Sequence, residues 1–96
     1  MRVNKLTYNN KVFTKQKQIL DLLNQEKFYW LIDCEIENAN IEIANHTLIW
    51  HSGDFYSGRW HYGIWKNGSF YGIWENGIWE NGFFHGKWQS GIKEKA

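Results

Sequence analysis

Every fourteen residues, the second half of the chain returns to one pattern. Tyr56-Ser57-Gly58-Arg59-Trp60-His61-Tyr62-Gly63 is followed by Phe70-Tyr71-Gly72-Ile73-Trp74-Glu75-Asn76-Gly77, and then by Phe84-His85-Gly86-Lys87-Trp88-Gln89-Ser90-Gly91. The shared form, aromatic-x-Gly-x-Trp-x-x-Gly, makes this segment an array of one repeated supersecondary unit. His46, Leu48, Trp50 and Gly53 stand where a degraded earlier copy would place them. A strand sends alternate side chains to opposite faces, so the aromatic, the Gly and the Trp of each unit share one face. Glycine between two large rings leaves a slot of bare backbone, which a ring from a neighbouring strand can cover.

The expected turns follow from Asn67-Gly68, Asn76-Gly77 and Asn81-Gly82, the preferred pairs of type I′ hairpins. With Asn76-Gly77 as the turn, Glu75 faces Ile78 and Trp74 faces Trp79, an arrangement that looks like the turn of designed tryptophan-zipper hairpins. The expected fold is therefore α+β and mostly β: an antiparallel meander of repeated β-hairpins with one N-terminal helix packed on it. A β-solenoid is the alternative, because Trp50, Phe55, Trp60, Trp65, Phe70, Trp74, Trp79, Phe84 and Trp88 also recur every four or five residues. Five-residue periods build square solenoids, whose narrow cores take small or medium side chains; Trp at every rung argues against that form.

On Tyr56, Gly58, Trp60, Gly63 and their counterparts in the next two units, the array resembles the MORN repeat family, with Phe for Tyr in two copies. That resemblance implies a meandering sheet of hairpins. It covers about 40 residues and leaves the first 47 untouched; MORN units also run longer than these. More loosely, the array looks like the Trp/Gly repeats of small tailed-phage proteins, which implies a phage origin and a host-cell setting.

Composition changes near residue 48, dividing the chain into a cap of residues 1–47 and the array of residues 48–96 within one cooperative domain. In the cap, Asn9-Asn10 separates two short apolar runs as a hairpin turn would. Thr14 reads as the N-cap of a helix from about Lys15 to Glu26, with Ile19, Leu20, Leu22 and Leu23 on one face. Ile32, Cys34 and Ile36 alternate with Asp33, Glu35 and Glu37, and Ile41 and Ile43 flank Glu42, the period of half-buried strands. Asn38-Ala39-Asn40 is the expected turn between them. The acidic row reads as an outer strand face, and Cys34 as a buried, inert thiol.

Ninety-six residues make a thin domain, and its nine Gly all fall between Gly53 and Gly91. The rings of the array alone do not offset the entropy of ordering it. Hence the expectation that the helix covers one face of the repeat sheet. A formal charge of +1 gives no footprint for duplex nucleic acid. A single Cys and the lack of a secretory or membrane-spanning apolar run point to an intracellular, cytoplasmic protein with no membrane span.

No phosphate loop, nucleophile elbow, paired-carboxylate motif or His/Cys metal spacing is present, so the reading is non-enzymatic, with no catalytic residue, cofactor or metal. Eighteen aromatics exceed what a thin domain can hide, which implies a docking surface. The expected surface comprises Tyr56, Arg59, Tyr62, Trp65, Tyr71, Trp79, His85 and Lys87. The repeat scaffold comprises Gly58, Trp60, Gly63, Phe70, Gly72, Trp74, Gly77, Phe84, Gly86, Trp88 and Gly91. The leading function is a protein-binding module, an adaptor or an inhibitor. A second reading is a nucleotide, single-stranded nucleic acid or glycan stacked on exposed Trp rings. A third is a homo-oligomeric structural subunit joined edge to edge. The charged tail Lys93-Glu94-Lys95 fits a guard on the last strand edge.

Overall fold

The computed structural model describes residues 1–94. Val3–Tyr8 (β1) and Lys11–Phe13 (β2) form the opening hairpin, and Asn9 and Asn10 have φ of 51° and 65°, as a type I′ turn requires. Gln16–Gln25 (α1) is the expected helix, burying Ile19 and Leu23. Lys15 rather than Thr14 occupies its N-cap, without a capping side chain. The helix instead ties itself to β1, Gln16 Nε2 donating to the Val3 carbonyl at 2.5 Å. Lys27, at φ 66°, ends it, and the Phe28 N–H reaches the Leu23 carbonyl at 2.8 Å, a Schellman-type closure. That reversal leads into a short helix, Tyr29–Ile32 (α2), where the sequence had placed the start of a strand.

Glu35–Ala44 (β3) and Thr47–Ser57 (β4) are long antiparallel partners, joined through Asn45 and His46, both at positive φ. Asn38-Ala39-Asn40 is not a turn. It lies within β3 at a register shift, with Asn38 at φ 56° opposite the irregularity at Gly53. β1 runs parallel to β3 on its other edge.

Beyond β4 the strands are two residues each: Arg59–Trp60 (β5), Ile64–Trp65 (β6), Ser69–Phe70 (β7), Ile73–Trp74 (β8), Ile78–Trp79 (β9), Phe83–Phe84 (β10), Lys87–Trp88 (β11) and Ile92–Lys93 (β12). All of them pair in parallel. Ile64 stands over Ile49 and under Ile78, Phe70 over Phe55 and under Phe84, and Trp74 over Trp60 and under Trp88. The segment is a β-solenoid-like coil with three faces, and the hairpin meander expected for it is corrected. Two faces continue the sheet of β2, β1, β3 and β4, one through β6 and one through β7, so the coil grows directly from the N-terminal sheet.

The backbone explains why no hairpin forms. A type I′ turn needs positive φ at both central residues. Gly68, Gly77 and Gly82 have φ between 121° and 126°, but Asn67, Asn76 and Asn81 are not among the positive-φ residues. Each Asn-Gly pair is a corner instead. At two corners the glycine N–H donates to the preceding Asn Oδ1 at 2.9 Å, and the chain turns onto the next face without doubling back.

Fourteen residues make one coil because the inward rings follow each other by five, five and four positions, as at Trp60, Trp65, Phe70 and Trp74. The first coil is one residue longer. Phe55 to Trp60 spans five positions where Phe70 to Trp74 spans four, so the ladder partner of Phe70 and Phe84 is Phe55, not Tyr56. Trp50 likewise joins Trp65 and Trp79 rather than the Trp60 column.

Three ring columns fill the coil. Trp50, Trp65 and Trp79 stack at 4.7 and 5.1 Å; Phe55, Phe70 and Phe84 at 4.7 and 5.3 Å; Trp60, Trp74 and Trp88 at 5.2 and 5.4 Å. These steps follow the inter-strand spacing of about 4.8 Å. Within a layer the columns meet edge to face, as Trp65, Phe70 and Trp74 do at 5.4, 5.6 and 6.4 Å. Trp fits because its column partner is another Trp lying nearly parallel, and because the indole edges of Trp50, Trp60, Trp65 and Trp74 end against corner glycines. The Nε1 atoms of Trp50, Trp60, Trp65 and Trp74 are buried without hydrogen-bond partners. A Cβ on Gly68, Gly77, Gly82 or Gly91 would come within 3.1–3.2 Å of them in turn.

The N-terminal segment closes the coil at its end rather than along a face. Trp30 of α2 meets Trp60 edge to face at 5.4 Å and stacks on His61 at 5.2 Å. Cys34 packs beneath the first coil; its thiol donates to the Trp30 carbonyl at 3.1 Å, and burial pushes its pKa up to about 11. At the other end Lys93 takes the place in the Trp50 column where a fourth ring would stand. Its ammonium lies 5.4 and 5.6 Å from the Phe84 and Trp88 ring centres. Of the expected guard, Lys95 lies outside the described residues. No described helix is long and apolar enough to cross a membrane.

Candidate interaction surface

Strand alternation dictates which side chains the coil presents. The residue after each inward Phe and the residue before each inward Trp must point outward, with a glycine between them. In three successive coils these outward pairs are Tyr56 and Arg59, Tyr71 and Ile73, and His85 and Lys87. Tyr56, Tyr71 and His85 form an outer ladder, with centroids 5.8 and 5.7 Å apart and planes 21° and 5° from parallel. Arg59, Ile73 and Lys87 form the ladder beside it, in parallel register. Gly58, Gly72 and Gly86 run between them. Gly72 is fixed by packing: a Cβ there would lie 2.6 Å from the Gly58 carbonyl oxygen and 2.7 Å from the Phe55 ring.

The result is a trough of about 510 Å³ with a glycine floor, one wall of rings and one wall of aliphatic and cationic chains. Tyr71 is 43% exposed and Tyr56 46% exposed. Because the rings spend their faces on one another, they offer their edges and polar tips to solvent. Phe83 extends the wall at its far end, meeting His85 edge to face at 4.2 Å. Aspartate stands near the other end, and Asp54 above all raises the Tyr56 phenol pKa, with Glu37 adding to it. Arg59 Nη1 leans away from the trough onto Glu75 Oε2 at 2.9 Å.

Five of the eight residues expected on the surface thus come together: Tyr56, Arg59, Tyr71, His85 and Lys87. Tyr62 is half exposed but sits elsewhere, beside Phe28 and Trp30 of the N-terminal cap. Trp65 and Trp79 are corrected. They are 0% and 3% exposed, stacked on each other inside the coil, and cannot meet a partner there. Sequence reading missed their burial because it counted more rings than a thin domain could hide, whereas the closed coil stacks them inside.

Other polar groupings are small. Tyr8 OH donates to Glu26 Oε2 and His46 Nδ1 bonds Glu26 Oε1, both at 2.8 Å, tying two turns to the end of α1. His51 bonds Glu42 at 2.8 Å on the outer sheet face. Glu35 is exposed and Glu37 half-buried on β3, while Asp33, expected in the same strand row, is exposed at the C-cap of α2. Among the described residues, no group of three or more His, Cys, Asp or Glu converges to hold a metal ion. Comparison with protein-family models, curated proteins and solved structures finds no match to this chain.

Proposed function

We propose that the chain is a small, non-enzymatic protein-binding module, an adaptor or inhibitor, that docks its partner on the Tyr56, Tyr71 and His85 face. The observation that carries this is the exposed ladder of rings beside a preformed, glycine-floored trough. Tyr and Arg are the residues around which protein interfaces concentrate binding energy. A rigid coil presents them with little ordering cost, since their ring positions are already fixed by the stack. Stacking of a base or sugar on Trp has less support, because Trp50, Trp60, Trp65, Trp74 and Trp79 are all buried. The phage setting suggested by the repeat likeness belongs to the same proposal.

The test is affinity capture from an extract of the source cell, comparing wild type with a Tyr71→Ser, Arg59→Gln variant of equal melting temperature. A protein retained by wild type and lost by the variant is expected. Equal capture by both, or none by either, contradicts the proposal.

A further inference from the structure

We infer that the trough takes an acidic peptide segment of the partner, with a carboxylate seated at the His85 and Lys87 end. The inference rests on the protein-binding reading above and specifies its chemistry. Its first ground is the lining: Ser57, Tyr71, Ile73, His85, Lys87 and the three glycines include no acidic side chain. Its second is the pairing of the basic side chains. Arg59 is held by Glu75 and Lys66 by Glu80, and His46, His51 and His61 each contact a glutamate. Among the described residues His85 is the histidine with no such contact; Lys87 makes no ion pair either, like Arg2, Lys5, Lys11, Lys15, Lys27 and Lys93, and of these seven it is Lys87 that lines the trough. These two stand on one coil, either side of Gly86, and both line the same end of the trough.

The opposite end has the reverse character, because Asp54 and Glu37 act on Tyr56. An acidic side chain is therefore favoured at one end and disfavoured at the other, which fixes the direction of the bound segment. Three coils rise by two inter-strand steps, about 10 Å, the length of roughly three extended residues. The edge-on phenol groups supply hydrogen bonds to the peptide backbone, and Ile73 supplies an apolar contact at mid-trough. A nucleic-acid backbone is the poorer match: one lysine beside one histidine, on a chain of formal charge +1, neutralises too few phosphates.

Fluorescence anisotropy of a fluorescein-labelled hexapeptide with three consecutive Glu tests this, against the same peptide carrying Gln. Saturable binding of the Glu peptide is expected, at least about tenfold tighter than the Gln peptide, as charge-assisted contacts allow. Lys87→Glu should weaken it by a similar factor, while Lys66→Gln, whose side chain is not in the trough, should not. Circular dichroism and melting of each variant verify the fold. Equal binding of both peptides, binding of neither, or full binding by Lys87→Glu overturns the inference. If cellular capture needs Tyr71 but is indifferent to Lys87→Glu, the acidic-segment inference falls and the protein-binding reading stands. Capture indifferent to Tyr71 removes the latter.

Discussion

At the scale of single residues, glycine carries the architecture. Gly77 has φ of 126°, and a Cβ there would lie 2.5 Å from the Gly63 carbonyl oxygen and 3.2 Å from Trp60 Nε1. Neither backbone nor indole has room to yield, since both belong to the stacked coil beneath. Gly77→Ala should therefore cost about 2–4 kcal/mol, combining backbone strain with overpacking. Asn76→Ala at the same corner removes only an exposed hydrogen bond and should cost about 1 kcal/mol or less. Denaturant melts of the two variants measure the contrast; equal losses would mean that the corner, not the close approach of coils, sets the requirement. The pattern aromatic-x-Gly-x-Trp was legible in the sequence, but its three marked residues do not share one strand face: Phe70 lies on β7 and Trp74 on β8 with Gly72 between the two strands, and Tyr56 points outward while Trp60 is buried. What the sequence left hidden was the direction of pairing. A glycine after asparagine serves a hairpin and a solenoid corner alike, and only the φ of the asparagine separates them.

Among the elements, the N-terminal ones were the most readable. A positive-φ Asn pair between apolar runs and a 3.6-residue apolar period are local signals, and β1, β2 and α1 formed where those signals lie. The strand β3 and the helix α2 were less so. Their limits depend on Lys27 reversing the chain and on the bulge opposite Gly53, both set by tertiary packing. The elements are also tied electrostatically at one end, where Glu26 meets Tyr8 and His46. The hydrogen bond from His46, then that from Tyr8, holds the Glu26 carboxyl below its ordinary value of 4.5. A folded-state pKa below the unfolded one adds stability above that value and withdraws it as the pH falls. Wild type should lose stability below about pH 4.5 more steeply than Glu26→Gln, in melts taken from pH 7 to pH 3. Parallel profiles for the two proteins would show that the tie contributes nothing.

For the whole molecule, the three ring columns and the N-terminal core are one continuous body, from Val3 and Leu6 through Trp50 to Trp79. α2 and Trp30 close one end, Lys93 covers the other, and the surface between them is set by the coil's register. Arg59, Tyr71, His85 and Lys87 fall on that surface because outward positions next to buried rings remain outward in either architecture, and Tyr56 joins them because the first coil is one residue longer. Sequence reading misplaced Trp65 and Trp79, because an open sheet of this size cannot hide so many rings, while a closed coil stacks them in its interior. Backbone nuclear Overhauser contacts in the isotope-labelled protein test the central claim most directly. Parallel coiling places Ile64 beside Ile78 and Ile73 beside Lys87, fourteen residues apart. Cross-peaks between the backbones of those pairs are expected. Cross-peaks joining Glu75 to Ile78 across Asn76-Gly77 as paired strands, without the fourteen-residue contacts, would contradict the coil.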